Sequence, residues 1–458
     1  LCLDIKYGVS NNQNLDITLN TDFAQAEADE VQVNLTRFSL FYPEKRQFFQ
    51  ERAAVFKFQT SSISSNRLFH SRRIGLSAKG ELLDVYGGVR FVGRSDGWDY
   101  GVLDMQTAGA DTVGNINHAV MRFRKQTFNN QSYLGGLFTS QINSEGNKEF
   151  VVATDALVNL GGSHFLQANI GYISGTAFET NFNDQSLLYL SYQNRNETGW
   201  GYSFEAERVG LNMRPRLGFI QRTDNLALNQ ETLYGFFFAE NETWRKMTIS
   251  LNHQSNFASA DNELESLTNA LEMNLAMNTG GSLDFSVRRN YDKPAMAFPI
   301  SSSIIIPVGQ YTFYSYGLSY TMSETSNWRV NPSVTLGDYY DGKQIQFSIN
   351  PIWNLSRYLE ISGIYIYNKI DFESRNQSLR ADLARLNILA SFNSEISLTS
   401  LIQYDKVSEQ VAANVRLRYN FREGHDLYLV FNGSKPTISS TQLDQTRFVV
   451  KYSYTFTN

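Results

Sequence analysis

The chain of 458 residues has one cysteine, eight prolines and no long apolar run. Cys2 alone excludes a disulfide scaffold. Helical membrane proteins need stretches of roughly 20 apolar residues. The strongest runs here, Ile304 to Ile306 and Phe236 to Ala239, are far shorter, and mean hydropathy is -0.34. Excess positive charge is lacking too: 40 Lys and Arg against 45 Asp and Glu give a formal charge of -5, which argues against a nucleic-acid partner. The opening Leu1-Cys2-Leu3-Asp4 has neither the charged start nor the apolar core of a signal peptide and reads as a fragment or mature piece. Pro, Gly and Ser clusters never run long enough to make a linker, so a single domain over residues 1–458 is expected.

What the chain has in quantity is aromatic residues: 32 Phe, 25 Tyr and 5 Trp, too much apolar surface for a disordered chain. They recur with period two. Val411, Ala413, Val415, Leu417 and Tyr419 alternate with Ala412, Asn414, Arg416, Arg418 and Asn420. Phe448, Val450, Tyr452, Tyr454 and Phe456 repeat the pattern, as do Leu283, Phe285 and Val287, and Trp200, Tyr202 and Phe204. Strands place successive side chains on opposite faces, whereas a helix needs apolar residues three and four apart. The fold expected is all-β.

Short polar turns punctuate these strands, at Ser95-Asp96-Gly97, Asn129-Asn130, Gly161-Gly162, Asn196 to Thr198, Asn241 to Thr243 and Thr279 to Gly281. They continue at Ser323 to Asn327, Ser356-Arg357, Asn393 to Glu395 and Arg422 to Gly424. The intervals leave room for two strands of roughly 10 to 13 residues and a longer connection, as in tilted membrane strands. Long connections are expected around Arg208 to Asn229, Asp292 to Gly309, Asp371 to Leu379 and Asn432 to Leu443. Short turns at one end and long loops at the other predict a large antiparallel transmembrane β-barrel of about 22–26 strands, with short periplasmic turns and longer extracellular loops. An even strand number follows if both termini are periplasmic. All five tryptophans, Trp98, Trp200, Trp244, Trp328 and Trp353, lie beside short turns, where a membrane-interface girdle would place them. Soluble sandwiches and propellers are the alternative, but they use strands nearer five or six residues or a repeated motif per blade.

Residues 20–76 break the rhythm. Lys6 to Val9 and Leu15 to Leu19 read as a first hairpin, Ala54 to Phe58 as a plausible strand, and Leu82 to Val92 as a clear one. Between them stand Asp22, Glu27, Arg37, Glu44, Lys45, Arg46, Arg72 and Arg73, with Pro43 interrupting any central strand. A basic residue facing mid-membrane costs roughly 2 to 4 kcal/mol. The segment is therefore expected at the lumen or the periplasmic mouth, either as a solvated turn with rim salt bridges or as an inward-folded constriction or plug. Arg37, Glu44, Lys45, Arg46, Arg72 and Arg73 are its candidate charge network.

Three strings in this chain, NLTRF followed by FYPEKRQFF, then SRRIGL, and RYNFREGHDLYLVF near the end, resemble a family of Bacteroidota and relatives. The resemblance is to that family's C-terminal barrel domain, of unknown function, and spans essentially the whole chain. Its members typically carry a family-nine-type carbohydrate-binding module ahead of the barrel, a module this sequence lacks. The resemblance implies an outer-membrane location and no known activity.

No catalytic constellation, cofactor motif or metal site stands out. His70, His118, His164, His253 and His425 are dispersed, and no phosphate-binding loop is present. Glu205 and Glu207 share one strand face, as two glycosidase carboxylates would, but so does any polar barrel wall. Arg122, Arg124, Arg288, Arg416 and Arg418 fall on polar faces and are candidate lumen residues, either as a cationic stripe or as partners of wall carboxylates. The function expected is passage or docking of a solute or polymer at the bacterial outer membrane. Outer-membrane lipid and the barrel-assembly machinery are the expected partners, with a glycan or envelope protein beyond them. A membrane-embedded hydrolase and a plugged structural partner of an envelope complex are the alternatives.

Overall fold

The computed structural model describes residues 3–20, 29–58, 65–77, 80–109, 114–178, 181–436 and 445–454. Asp22, Glu27, Leu443 and Phe456 lie outside them. Twenty-three strands of 7 to 15 residues form one antiparallel sheet in which each strand pairs with its neighbour in sequence, from Leu3–Ser10 to Gln445–Tyr454. A second, two-stranded hairpin, Phe298–Pro299 with Ile305–Ile306, lies in a loop. Among the described residues the number is 23, within the expected range but odd, so the first and last strands run in the same direction, and the first begins at the rim opposite the one where the last ends. Among the described residues no ladder joins them.

Because strand directions alternate, every connection belongs to one of two rims. At one rim no connection exceeds six residues, and all ten turns read from the sequence fall there. The other rim carries 20–84, 108–115, 176–185, 210–224, 293–310 and 437–444, mixed with turns of two to five residues at 144–147, 259–263, 340–341, 373–376 and 406–409. Three of the expected long loops are shorter than the sequence suggests. Strands Gly199–Val209 and Asn225–Phe237 extend into the first, leaving 210–224. Strands Leu359–Phe372 and Gln377–Ser391 reduce Asp371 to Leu379 to a four-residue turn built on Glu373–Arg375. Strand His425–Pro436 runs into the one expected around Asn432 to Leu443.

The two faces of the sheet differ as period two requires. Outward stand Ile5, Val102, Met121, Ile170, Leu190, Leu251, Leu271, Val287, Ile345 and Val450, all substantially exposed. Inward stand Asp16, Arg90, His118, Arg122, Asp155, Asn169, Glu205, Glu207, Asn229, Asn368 and Gln403, all buried. A protein that put its oily side chains out and its charges in would be inverted in water. In lipid it is the ordinary arrangement.

The sheet curls around the segment that interrupts it. Val31 N–H donates to Gln403 Oε1 on the twentieth strand, and the Phe48 carbonyl accepts from Arg90 on the third. Laid flat, seventeen strand spacings would separate those strands by roughly 80 Å. The residues from Val31 to Phe48 reach about 60 Å at full extension, and two side chains do not close the gap. Twenty-three tilted strands would enclose a cylinder about 45 Å across between backbones.

Inside one half of that cylinder lies an apolar core. Phe49, Phe56, Phe58, Leu68 and Ile74 of the segment, with Met213 and Leu217 of the 210–224 connection, pack on inward Val92, Leu103, Met105, Val120, Leu137, Val151, Ile173 and Leu187. Each such side chain contributes about 1.5–3 kcal/mol of gross burial. Two wall glycines admit them: a Cβ on Gly101 would stand 2.8 Å from the Phe56 ring, and one on Gly171 would stand 2.7 Å from Leu68. Residues Ala53–Val55 form a 3-10 turn, not the expected strand, because Phe56 and Phe58 seat on wall side chains and no strand lies beside them to pair with.

Candidate functional site: the lumen and the segment that crosses it

The segment leaves strand Gln13–Leu19 and re-enters the wall at Val85–Ser95, both at the long-loop rim. From there it lies against the inner face, touching strands from both ends of the meander. Gln403 clasps its start, accepting from Val31 N–H at 2.8 Å and donating to the Asp29 carbonyl at 2.9 Å. Arg385 donates to Glu30 at 2.7 Å and to the Val31 carbonyl at 3.1 Å. Tyr339 donates to the Leu35 carbonyl. Arg37 donates to both oxygens of Asp292 at 2.9 Å, and Tyr340 donates to the same carboxylate at 2.7 Å.

Farther along, Arg90 is almost wholly buried and pairs with Asp16 at 2.6 Å while donating to the Glu51 carbonyl at 2.8 Å. Its guanidinium also lies over the Phe48 ring, 4.7 Å from the centroid. Lys6 on the first strand reaches Glu51 at 2.6 Å. Asn66 donates to Glu207 of the wall at 3.0 Å. Arg122, buried with Asp155 in a two-pronged pair at 2.7 Å, lies under the Phe58 ring at 5.3 Å. The forked Arg122–Asp155 pair joins two wall strands and holds its geometry better than a single contact would, so Phe58 of the segment seats on a fixed surface.

Glu44 and Arg46 fold the segment on itself. Glu44 accepts from the Arg46 backbone N–H, Nε and guanidinium at 2.9, 2.8 and 2.7 Å, and from Ser71 Oγ at 2.9 Å. Arg46 in turn donates to the Ile74 and Ser71 carbonyls, each at 2.7 Å, and lies over Phe49 at 4.3 Å. Burial alone would raise the Glu44 pKa; the Arg46 and Ser71 contacts outweigh it and hold the carboxyl below its usual value. Beside this clamp, His70 Nε2 meets the Tyr42 carbonyl at 3.1 Å. Burial drives the His70 pKa down to about 4, so the ring is neutral at pH 7.

The expected charge network is therefore divided. Glu44, Arg46 and the Ser71–Arg73 turn come together; Arg73 donates to the Gly218 carbonyl at 3.2 Å, Arg72 pairs with Asp29, Arg37 reaches the distant Asp292, and Lys45 is half-buried. The five lumen arginines do not form one stripe. Arg122 and Arg124 lie on the fifth strand, Arg288 on the fourteenth, and Arg416 and Arg418 on the twenty-first. Arg124 pairs with Asp99 at 3.3 Å, Arg288 with Glu272 at 2.7 Å and Arg418 with Asp426 at 2.6 Å. The five tryptophans all lie on the outward face within four residues of a strand end at the short-turn rim, and Trp328 pairs directly across from Trp353. Sequence reasoning missed the carboxylate and amide partners Asp155, Asp292 and Gln403, while the long connection expected around Asp292 to Gly309 is present as the loop 293–310. That loop folds inward: Phe298, Ile300, Ile304 and Ile306 pack with Tyr339, Ile370, Phe372 and Leu379, against Leu35 of the segment.

An outward face of oily side chains, a polar inner face and strands hydrogen-bonded to their neighbours are what a bilayer permits. The wall is that of an outer-membrane β-barrel. The family described as a domain of unknown function, DUF5916, matches residues 1–85, which contain the first two strings of the resemblance and not the third. No curated protein matches. Solved structures similar to this chain include the siderophore receptor PirA from Acinetobacter baumannii, at 10% identity over 85% of this chain and 83% of that one, with a TM-score of 0.48. The ferric-catecholate import receptor Fiu from E. coli K12 is 9% identical over 77% and 68%, with a TM-score of 0.41. The copper transporter OprC is 7% identical over 83% and 72%, with a TM-score of 0.40.

Proposed function

We propose that the protein is a bacterial outer-membrane barrel through which a solute or polymer passes, or at which it docks, with residues 29–77 acting as an internal plug. The observation that carries this reading is the fastening of one segment to inward residues on strands from both ends of the meander, Lys6 and Arg90 on one side and Arg385 and Gln403 on the other. A wall this wide needs an occupant if it is not to leak. In this reading the short-turn rim faces the periplasm, Trp98, Trp200, Trp244, Trp328 and Trp353 sit at the lipid headgroups, and the barrel-assembly machinery inserts the chain. A glycan is the proposed cargo class, on the strength of the sequence resemblance to barrels that follow carbohydrate-binding modules.

Planar-bilayer recording tests it. The full chain should be silent or nearly so, and deletion of residues 29–77 should give large, steady conductance. A full chain that conducts freely would refute the plug. A deletion variant that inserts and stays silent would favour the second reading, a structural partner of an envelope complex. The apolar core between segment and wall supports that reading, since a plug seated on Phe49, Phe56, Phe58 and Leu68 is hard to withdraw.

A further inference from the structure

Just inside the long-loop rim, where the segment, the 210–224 connection and the wall meet, is a cavity of about 240 Å³. Its floor is the inward face of strands ten to thirteen, with Asn225, Asn229, Gln254, Ser266 and Thr268 on the wall and Glu207 beside Asn66 of the segment. Asn225 and Asn229 are 4% and 6% exposed, and the Oδ1 of each has no hydrogen-bond partner. Asn225 spends its amide N–H on Asn256 Oδ1 at 3.3 Å, so its oxygen is the atom left over. Buried acceptors without donors are costly. Arg222 closes the upper side, donating to Ser266 at 3.1 Å and lying over Phe38 at 4.5 Å. Gln254, Ser266 and Thr268 are only half-buried, which leaves the cavity open to the lumen.

We infer that this cavity binds a neutral, hydroxyl-rich ligand of the size of one sugar ring. The chemistry selects it. The unsatisfied atoms are acceptors and call for O–H donors, while the amide and hydroxyl lining offers both donors and acceptors to a group that is both, as a hydroxyl is. One guanidinium and one carboxylate leave no net charge to favour an ion. The volume equals about eight waters, room for one ring. The site spans the segment and the wall, so a ligand there bridges plug to barrel on the side a cargo would enter. This inference rests on the proposed function and deepens it by giving one ring of the cargo a site, and it can fail on its own.

The test uses the full folded barrel in detergent and saturation-transfer NMR with D-glucose, D-galactose and N-acetyl-D-glucosamine as probes, each to tens of millimolar, and inorganic phosphate as the anionic comparison. At least one sugar should bind, and Asn229→Leu should weaken it tenfold or more with heat-modifiable folding unchanged. Should that variant not fold, Thr268→Val at the mouth takes its place and should weaken the same sugar at least threefold. Absence of binding by all three sugars, binding of phosphate in their stead, or sugar binding indifferent to the substitution overturns the inference, leaving water as the occupant. A barrel that conducts only after deletion of residues 29–77 and yet binds no sugar keeps the plug and loses this site.

Discussion

Replacing Glu44 by Gln isolates the clamp that folds the segment on itself. The carboxylate and the Arg46 guanidinium retain only 11% and 12% of their side-chain exposure, so the pair is effectively desolvated. Breaking a buried pair from one side costs roughly 3–5 kcal/mol. Arg46 keeps its bonds to the Ile74 and Ser71 carbonyls, so the low end applies, about 3 kcal/mol. Local opening should then become on the order of a hundredfold more frequent. Amide exchange reads this directly at Ile74 N–H, which bonds the Ser71 carbonyl at 2.9 Å, and at Arg73 N–H, which bonds His70 at 3.0 Å. Both should lose about two decades of protection in Glu44→Gln while wall amides near Ile249 keep theirs. Removing the partner as well, in Glu44→Gln with Arg46→Met, should cost less than the two single changes together, because no uncompensated charge remains. Unchanged protection at Ile74, or strictly additive effects, would mean that the pair is solvated and the clamp reasoning is wrong.

Acid should loosen the same region. The His70 pKa is lower in the folded protein, about 4, than its ordinary value, so the ring favours folding fully above pH 6.5 and that contribution is lost between pH 6.5 and about 4. The ceiling is about 3 kcal/mol, and Glu44 acts with the same sign as its pH falls through its depressed pKa; segment amides should lose protection over that window, and His70→Gln should flatten it above pH 5. Gly101→Val should push Phe56 off its seat and raise the exchange of segment amides at least tenfold without unfolding the wall; unchanged exchange there would mean the contact is slack. Leu251→Arg on the outward face should reduce folded barrel in lipid by about 2–4 kcal/mol, whereas Asn252→Arg on the inward face should fold nearly normally, both read by heat-modifiable migration in urea titrations.

Most of the wall was legible because lipid on one side and water on the other write a period of two into every strand, as in Trp200 to Phe204 or Val411 to Tyr419. The rim of short turns was legible for a related reason, since Asn, Gly and Asp cluster where a tight hairpin needs them. Residues 29–77 were harder. Their partners, Asp292, Arg385 and Gln403, stand more than 200 residues away in the chain, and no local pattern announces such a pairing. Phe56 and Phe58 alternate like strand residues yet dock into a curved wall, which is why Ala54 to Phe58 misleads. Asn225 and Asn229 were hidden differently. Asn is the common residue of turns, so these two looked like part of a loop, when they belong to the inward face of strand Asn225–Phe237.

The central claim is that the oily face of the sheet touches lipid. A nitroxide placed in turn at positions 247 to 257 of the strand Trp244–Ala258, in a barrel refolded into vesicles, tests it residue by residue. Collision rates with dissolved oxygen should peak at Met247, Ile249 and Leu251, and rates with a water-soluble paramagnetic complex at Ser250, Asn252 and Gln254. Alternate positions that are all shielded from both reagents, or outward positions that meet the aqueous one, would contradict the account.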